Sequence, residues 1–522
     1  MKKRHLIKDS AVFAAIAALM ITGCGNAAVG VGNITDKTDT TVLQEASGAV
    51  TETMDADNKT SSFENTEDGG HAITADGETA EYSNASVNKT GDSEGDEADF
   101  YGENSAVFAT NAAQLTLSDM DITTNGAHAN AVFSYGEGTI VDISDSTINT
   151  SGNCSGGIMT TGGGTMNASN LTIHTTGNSS ASIRSDRGGG TVTVTGGSYT
   201  TDGKGSPAVY STADITVNDA TLTSTASEGV VVEGKNSVTL NNVIMSADHN
   251  QHNSDKSDNF NAVMIYQSMS GDADTGLSKF SATGGSITNA NGDIFFVNNT
   301  ATDISLSGVD ITNNGDGVFL RAASAGWGNE GSNGGKVNLT AESQKIEGDM
   351  IVDDISILNL YLKDGSTFEG AINPDGEAGD VYVELTEGSK WILSVDSNIS
   401  SLTCDADSID LNGHTLTVDG KAYAAGTSSS GEAIEIKISE EGGRGEGMQA
   451  PPDGKGEPPQ GKEGDSTPNG NKAQDGKKEP PQDGDRPTSP DGQPSEKPDG
   501  EPPQKPGGDM APGGDNPPVK PE

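Results

Sequence analysis

Arg184, Asp186 and Arg187 place two guanidinium groups and a carboxylate in one short segment. In enzymes that cleave polysaccharides, carboxylates act as general acids, general bases or nucleophiles. An arginine–aspartate pair is also a common surface ion pair, and the sequence offers no second cluster of this kind. Ligand binding without catalysis is therefore the leading hypothesis for this segment, and catalysis is the alternative.

A second polar cluster lies in a loop, where His249 and His252 stand among aspartates. Imidazole and carboxylate groups are ligands for divalent cations. No second fixed element adds ligands here, so a solvated loop is the preferred interpretation. Calcium at the turn residues Asp119, Asp121 and Asp145 would suit their chemistry, but aspartate is favoured at turns for its own hydrogen bonds. The sequence therefore predicts no cofactor.

A repeat of about 25 residues organises the middle of the chain and must position these groups. One copy, at 215–222, reads Ile-Thr-Val-Asn-Asp-Ala-Thr-Leu, in which apolar and polar residues alternate before a turn. Alternation indicates strands, and stacked strand units of this length are typical of a β-solenoid. The other copies lie at 115–122, 141–148, 166–173, 192–199, 238–245, 280–287 and 304–311.

A second strand precedes each copy, and its outward residues form a column that we call the outer stripe. If Val107 and its equivalents point inward, the outer stripe is unusually apolar for a solvent-facing sheet, which indicates a binding surface. Alternatively, loops or the N-terminal segment cover it and make a second core. The stripe is predicted to contain Phe108, Phe133, Met159, Arg184, Tyr210, Val232, Met264, Phe296 and Phe319, with Tyr135, Asp186, Tyr266, Asn298 and Arg321 beside it.

Three insertions interrupt the repeat, at 248–259, 270–276 and 322–335, and Trp327 lies in the third. Loops on one side of a solenoid often carry function, and a tryptophan there suits sugar stacking or a protein contact. The predicted ligand-binding residues are Phe108, Phe133, Tyr135, Arg184, Asp186, Tyr210, Tyr266 and Trp327.

The N-terminus has three basic residues, an apolar run at 11–21 and the sequence Ile21-Thr-Gly-Cys24. The apolar run is too short for a permanent transmembrane helix and is typical of a signal peptide. The last four residues resemble a bacterial lipobox, which implies lipidation of Cys24 and a membrane anchor. The alternative is an ordinary signal peptide with a coincidental cysteine.

Composition excludes one class of partner and marks the ends of the chain. The 522 residues carry 30 Lys and Arg against 77 Asp and Glu, a net charge of −47, so nucleic acid is not an expected partner. All but two of the 20 prolines lie beyond Ala450, which favours extended, solvated chain. The predicted segments are a signal peptide at 1–23, a flexible acidic tether at 24–69, a β-helix with its N-terminal cap at 70–342, terminal coils with a C-terminal cap at 343–440, and a disordered tail at 441–522.

The last coils carry a resemblance to known proteins. Residues 388–393 (Gly-Ser-Lys-Trp-Ile-Leu), 399–402 (Ile-Ser-Ser-Leu) and 411–416 (Leu-Asn-Gly-His-Thr-Leu) are similar to the terminal coils of bacterial adhesins and autotransporter passengers. The resemblance implies an all-β, right-handed parallel β-helix of the pectin-lyase-like kind, exposed on the cell surface. The Gly-His-Gly and Arg-x-Lys motifs of polygalacturonase-like enzymes are absent from the sequence.

Together these features predict a monomeric lipoprotein, held on the extracellular side of the membrane through Cys24, that binds a glycan or a surface protein along the outer stripe. The alternatives are a polysaccharide lyase or glycoside hydrolase acting on the same face, and a purely structural stalk. Residues 92–99 are predicted to form an acidic loop that caps the open end of the solenoid.

Overall fold

The computed structural model describes residues 61–376 and 379–438, together with the backbone of three short strands, Val42–Leu43, Val50–Thr51 and Thr53–Met54. Cys24, the signal peptide and the proline-rich tail lie outside the described residues. Within the described ranges the one helix is Asp96–Tyr101, which we call α1, and no helix there is long and apolar enough to cross a membrane.

The described chain is a parallel β-solenoid, as the repeat predicts. The outer stripe belongs to an eleven-stranded parallel sheet, the stripe sheet, in which each strand bonds to its equivalents in the previous and following coils. Its strands are Ile73–Asp76, Val107–Thr110, Val132–Tyr135, Ile158–Thr161, Ile183–Ser185, Val209–Ser211, Val230–Glu233, Asn261–Tyr266, Asp293–Asn298, Val318–Ala322 and Asp349–Val352.

The repeat template forms a second sheet, the template sheet, which turns at its middle. Thr79–Lys89 and Gln114–Thr124 each cross this turn as one strand, whereas later coils have two strands. The strands that lie wholly before the turn are Ile140–Ser144, Gly164–Ser169, Gly190–Thr195, Asp214–Asn218, Ser237–Asn241, Leu277–Thr283, Ala301–Ser307, Lys336–Glu342, Ile357–Lys363, Asp380–Leu385 and Ser401–Cys404. Those after it are Ser61–Asn65, Thr147–Thr150, Thr172–Thr175, Ser198–Thr201, Thr221–Ser224, Ile244–Ala247, Ser286–Asn289 and Asp310–Asn313.

Two small sheets complete the last coils of the solenoid. At its other end, the solenoid starts earlier than the sequence indicates. Ser61–Asn65 pairs in parallel with the next coil, so the first coil begins before the predicted boundary at residue 70. At the C-terminal end, Ile434 forms two hydrogen bonds with the side chain of Asn359 and lies in no strand. The remaining strands are Lys345–Glu347, Thr367–Glu369, Lys390–Ile392, Ser397–Ile399, Ile409–Asp410, Leu416–Val418, Lys421–Ala422 and Ser429–Ser430.

The turn in the template explains its preference for Asp, Asn and Gly. Asp119, Asp145 and Asn170 have φ values of 52°, 49° and 53°, the left-handed region that these residue types tolerate. Asn170 Nδ2 donates to Asp145 Oδ1 in the coil below at 3.1 Å. The turn aspartates therefore serve the backbone and neighbouring coils, and the aliphatic residues between turns fill one continuous core.

Candidate functional site

The register of the stripe sheet corrects two members of the predicted outer stripe. Tyr210 is paired with Val231, so Val230 and Val232 face the core and Val231 points outward. Because the three consecutive valines show no alternation of apolar and polar residues, the sequence-based register was wrong by one residue here. Further along, a bulge between Val318 and Leu320 turns Phe319 into the core, and Arg321 takes the outward position beside Phe296.

Helix α1 covers the first part of the outer stripe. Phe108, Phe133 and Met159 form a separate apolar cluster, and Phe133 and Met159 have no exposed surface. The backbone of Gly102, which ends α1, lies against both phenylalanine rings, because a Cβ at this position would stand 2.8 Å from Phe133 and 2.9 Å from Phe108. Helix α1 therefore covers a sheet face, whereas the sequence predicted that residues 92–99 cap the solenoid end.

The insertion at 322–335 covers the other end of the outer stripe. Val231, Met264 and Phe296 form a second apolar cluster, on which Trp327 and its neighbouring alanines pack. The side chain of Asn333 holds this loop closed by donating to the carbonyl oxygens of Ala325 at 2.6 Å and Trp327 at 2.8 Å. Most of the apolar stripe is thus a second core, which was the alternative to an open binding surface.

This covering corrects the expectation that Phe108 and Phe133 are open to a ligand. A ligand cannot stack on either ring while α1 is in place. Tyr135 is half-buried at the edge of the first apolar cluster, in edge contact with Tyr101 of α1 at 5.8 Å. The polar and aromatic residues between the two covers remain as the candidate site.

Arg184 lies at the centre of this segment and contacts carboxylates on both sides. Its Nη2 donates to Asp186 Oδ2 at 2.8 Å and lies 3.5 Å from Asp99 Oδ2 of α1. The guanidinium of Arg187 lies 3.7 Å from the ring centroid of Phe100 and donates to Asp272 at 2.7 Å. The sequence-predicted cluster of Arg184, Asp186 and Arg187 is therefore brought together, and Asp99 and Asp272 join it from distant segments.

Glu233 forms the second half of the candidate site. It is only 1% exposed, and its carboxylate accepts hydrogen bonds from Tyr210, Tyr266 and Ser268. Ser270 links this group to the arginines, since its hydroxyl lies 2.7 Å from that of Ser268 and donates to Asp272 at 2.7 Å. One hydrogen-bonded network therefore runs between the two covers, from Asp99 to Tyr266.

Trp327 closes the network on the side of the loop. Its ring lies 5.2 Å from that of Tyr266, at an angle of 68°. Tyr210, Tyr266 and Trp327 are all half-buried. Aromatic rings with one polar end suit ligands that combine apolar faces with hydroxyl groups.

Burial changes the acidity of the site. Burial raises the pKa of Asp186 to about 6, with Asp272 and Asp99 adding to the rise and Arg184 opposing it. Burial likewise raises the pKa of Glu233, although its hydroxyl donors oppose the rise. For Asp99 the balance is reversed, because Arg184 and His128 outweigh the effect of burial and lower its pKa. Perturbed carboxylates clustered in this way are typical of functional sites.

Sequence reasoning missed Glu233, Asp272 and Asp99 as members of the site. Glu233 broke the apolar pattern of the stripe, and with the corrected register it points outward beside Tyr266. Asp272 and Asp99 lie in a loop and a helix whose positions no strand periodicity could show. His249 and His252 pack against Phe260, with His252 stacked on its ring at 4.1 Å.

Comparison with known proteins assigns no relationship to this chain. No protein-family model matches it, and the searches of curated proteins and of solved structures found no significant match either. Its function must therefore be argued from the geometry of the site.

Proposed function

We propose that this protein is a surface-displayed binding module that holds a glycan at the polar network between the two covers of the outer stripe. The observation that carries the proposal is the segment between the two covers, where three partly buried aromatic residues lie beside buried, hydrogen-bonded charged groups. Display at the membrane rests on the lipobox-like Ile21-Thr-Gly-Cys24, which supports a lipid anchor on the extracellular side.

The electrostatics of the gap favour a neutral glycan over an acidic one. Arg184 and Arg187 are already paired with Asp186 and Asp272, and Glu233 adds a further carboxylate. A polyanion would have to displace these pairs in a protein of net charge −47. Sugar hydroxyls, in contrast, can donate to carboxylates while a ring face packs on Tyr210 or Trp327.

A second candidate function, cleavage of the bound glycan, is favoured by one observation. Asp186, with a pKa of about 6, can hold or release a proton near neutral pH, as a general acid or base must. Its partners Arg184 and Arg187 restrict its approach to a glycosidic oxygen. Binding without turnover is the proposal, and turnover is the outcome that would replace it.

The test is binding of the full chain to an array of neutral and acidic glycans. Trp327→Ala and Tyr210→Phe should each weaken binding at least tenfold, because they remove a stacking face and a hydroxyl group beside the ligand. Tyr361→Ala is the matched control. Tyr361 is also a half-buried tyrosine, but it lies on the template sheet, and its loss should leave binding unchanged.

Analysis of the bound glycans after incubation separates the functions. Intact glycans support the binding module. Shortened products that disappear with Asp186→Asn would establish the enzyme in its place. Absence of binding to every glycan on the array would overturn both and leave a structural stalk.

A further inference from the structure

Three side chains with metal-binding atoms meet where α1 crosses a corner of the solenoid. Asp99 comes from α1, whereas His128 and Cys154 lie in consecutive corner loops. One ligand atom of each residue lies within 4.8 Å of the other two. Among the described residues, this is the one group of three potential metal ligands, and its members come from separate segments of the chain.

The solenoid fixes the positions of the histidine and the cysteine. His128 and Cys154 occupy the same place in successive coils, with φ values of 56° and 55°, and their backbone N–H groups donate to the equivalent carbonyls of Asn153 and Asn178. Stacked glycines make this corner tight, since a Cβ on Gly152 would stand 1.8 Å from the Gly126 oxygen. Adjacent coils are about 4.8 Å apart, which sets the two side chains side by side.

Asp99 is oriented so that each of its oxygens has a separate role. Oδ1 lies 3.2 Å from His128 Nδ1, and Oδ2 lies 3.5 Å from Arg184 Nη2. Two ligands at normal zinc distances and a tetrahedral angle are separated by about 3.4 Å, so the oxygen and the nitrogen already have the right separation. Arg184 can continue to hold Oδ2 while Oδ1 binds an ion, as an outer residue holds a metal ligand in many sites.

The charges around the cluster also suit a divalent cation. Arg184 is neutralised by Asp186 at 2.8 Å, so its positive charge does not have to be balanced by Asp99. A carboxylate and a thiolate together would balance an ion of charge +2, and neutral histidine would complete the donor set. The side chains are shielded, because those of Asp99 and His128 are 9% and 17% exposed.

We infer that Asp99, His128 and Cys154 form a binding site for Zn²⁺ or a similar thiophilic divalent ion. Sulfur, nitrogen and oxygen donors together favour zinc over calcium and magnesium, which prefer oxygen ligands. Three protein ligands leave a fourth position for water or a further ligand. The bound ion would tie α1 to two coils of the solenoid and so hold the cover over Phe133 in place. The inference does not depend on glycan binding.

The experiment is a titration of the full-length protein with Zn²⁺ under reducing conditions, followed by calorimetry, and with Co²⁺, followed by absorption spectroscopy. We expect one ion per chain and a sulfur-to-cobalt charge-transfer band. Cys154→Ser and His128→Ala should each weaken Zn²⁺ binding at least tenfold, and Cys154→Ser should abolish the band. Far-UV circular dichroism of each variant checks that the solenoid is folded.

Cys404→Ser is the matched control, because Cys404, like Cys154, forms no disulfide but lies in the terminal coils. It should leave both the affinity and the band unchanged, and every variant keeps Cys24. Failure of the wild-type chain to bind Zn²⁺ at micromolar concentration would overturn the inference. Equal binding by wild type and Cys154→Ser, or loss of binding with His249→Ala instead, would also overturn it. None of these three results would affect the glycan proposal, whose variants lie elsewhere.

Discussion

The outer faces of the stripe sheet and the template sheet begin from the same strand alternation and end in opposite environments. On the template sheet, Thr116, Asp142 and Thr193 point outward and remain at least partly exposed. On the stripe sheet, the corresponding positions hold Phe133, Met159 and Phe296, all without exposed surface. The solenoid core is common to both faces, so the difference lies in what the chain places outside it. An apolar outer face requires a cover, and a gap in that cover creates a site.

The two covers also differ from each other, which explains where the gap lies. Helix α1 precedes, in the chain, the coils that it covers. The loop at 322–335 comes after the coils that it covers. Helix α1 reaches the central coils through Asp99 and Phe100, which contact Arg184 and Arg187, and there the stripe becomes polar. Charged groups there are bonded to one another rather than buried under an apolar cap, because an unpaired charge would be costly in that position.

Removing a ring from the covered stripe should give the largest effect. We expect Phe133→Ala to lower the free energy of unfolding by about 3–5 kcal/mol, because it leaves a cavity between α1 and the sheet. Thr193→Ala on the outer face of the template sheet should change it by less than about 0.5 kcal/mol. Chemical denaturation of both variants measures the contrast. Similar losses for the two variants would show that the stripe face is not a second core.

The buried network should make stability depend on pH. Aspartate titrates near about 3.9 in an unfolded chain, and burial raises the pKa of Asp186 to about 6, so the folded protein binds the extra proton between these values. Its stabilising contribution is therefore complete below about pH 4 and is lost as the pH rises to about 6, up to about 3 kcal/mol in all. Denaturation at a series of pH values measures this slope.

Asp186→Asn should flatten the fall in stability between pH 4 and pH 6. Asp293, whose pKa is also raised to about 6 by burial, and Glu233, whose pKa burial also raises, should contribute to the remaining slope. Asp121→Asn, which changes an exposed carboxylate on the template sheet, serves as the control and should leave the slope unchanged. An unaltered slope in Asp186→Asn would exclude Asp186 as its source.

A smaller and more local effect should follow from Gly102→Ala. The added Cβ would meet both phenylalanine rings at under 3 Å, so α1 must shift away from the sheet. Gly365 has nearly the same φ, 71° against 72°, but nothing lies within 4 Å of its added Cβ. Gly365→Ala therefore measures the backbone strain alone. We expect Gly102→Ala to be less stable than this control by about 1–3 kcal/mol in thermal or chemical denaturation.

The sequence specified the solenoid well because strand alternation and turn chemistry are local properties. The template predicts a turn after Asn218, and Asp219 lies in that turn with a φ of 52°. The same reasoning identified Arg184, Asp186 and Tyr210 as outward residues. The strand register predicted from the sequence was wrong at the valines 230–232, where alternation disappears, and again at the bulge before Leu320.

Arg184 and Asp186 show the limit of the sequence. Their spacing alone determined that they share one face of a strand, because alternate residues of a strand point the same way. Only the tertiary structure brought Asp99, Asp272 and Glu233 to them, since these residues come from a helix, a loop and another coil. Local periodicity fixes which side of a sheet a residue occupies, whereas the covering of that side depends on contacts between segments far apart in the chain.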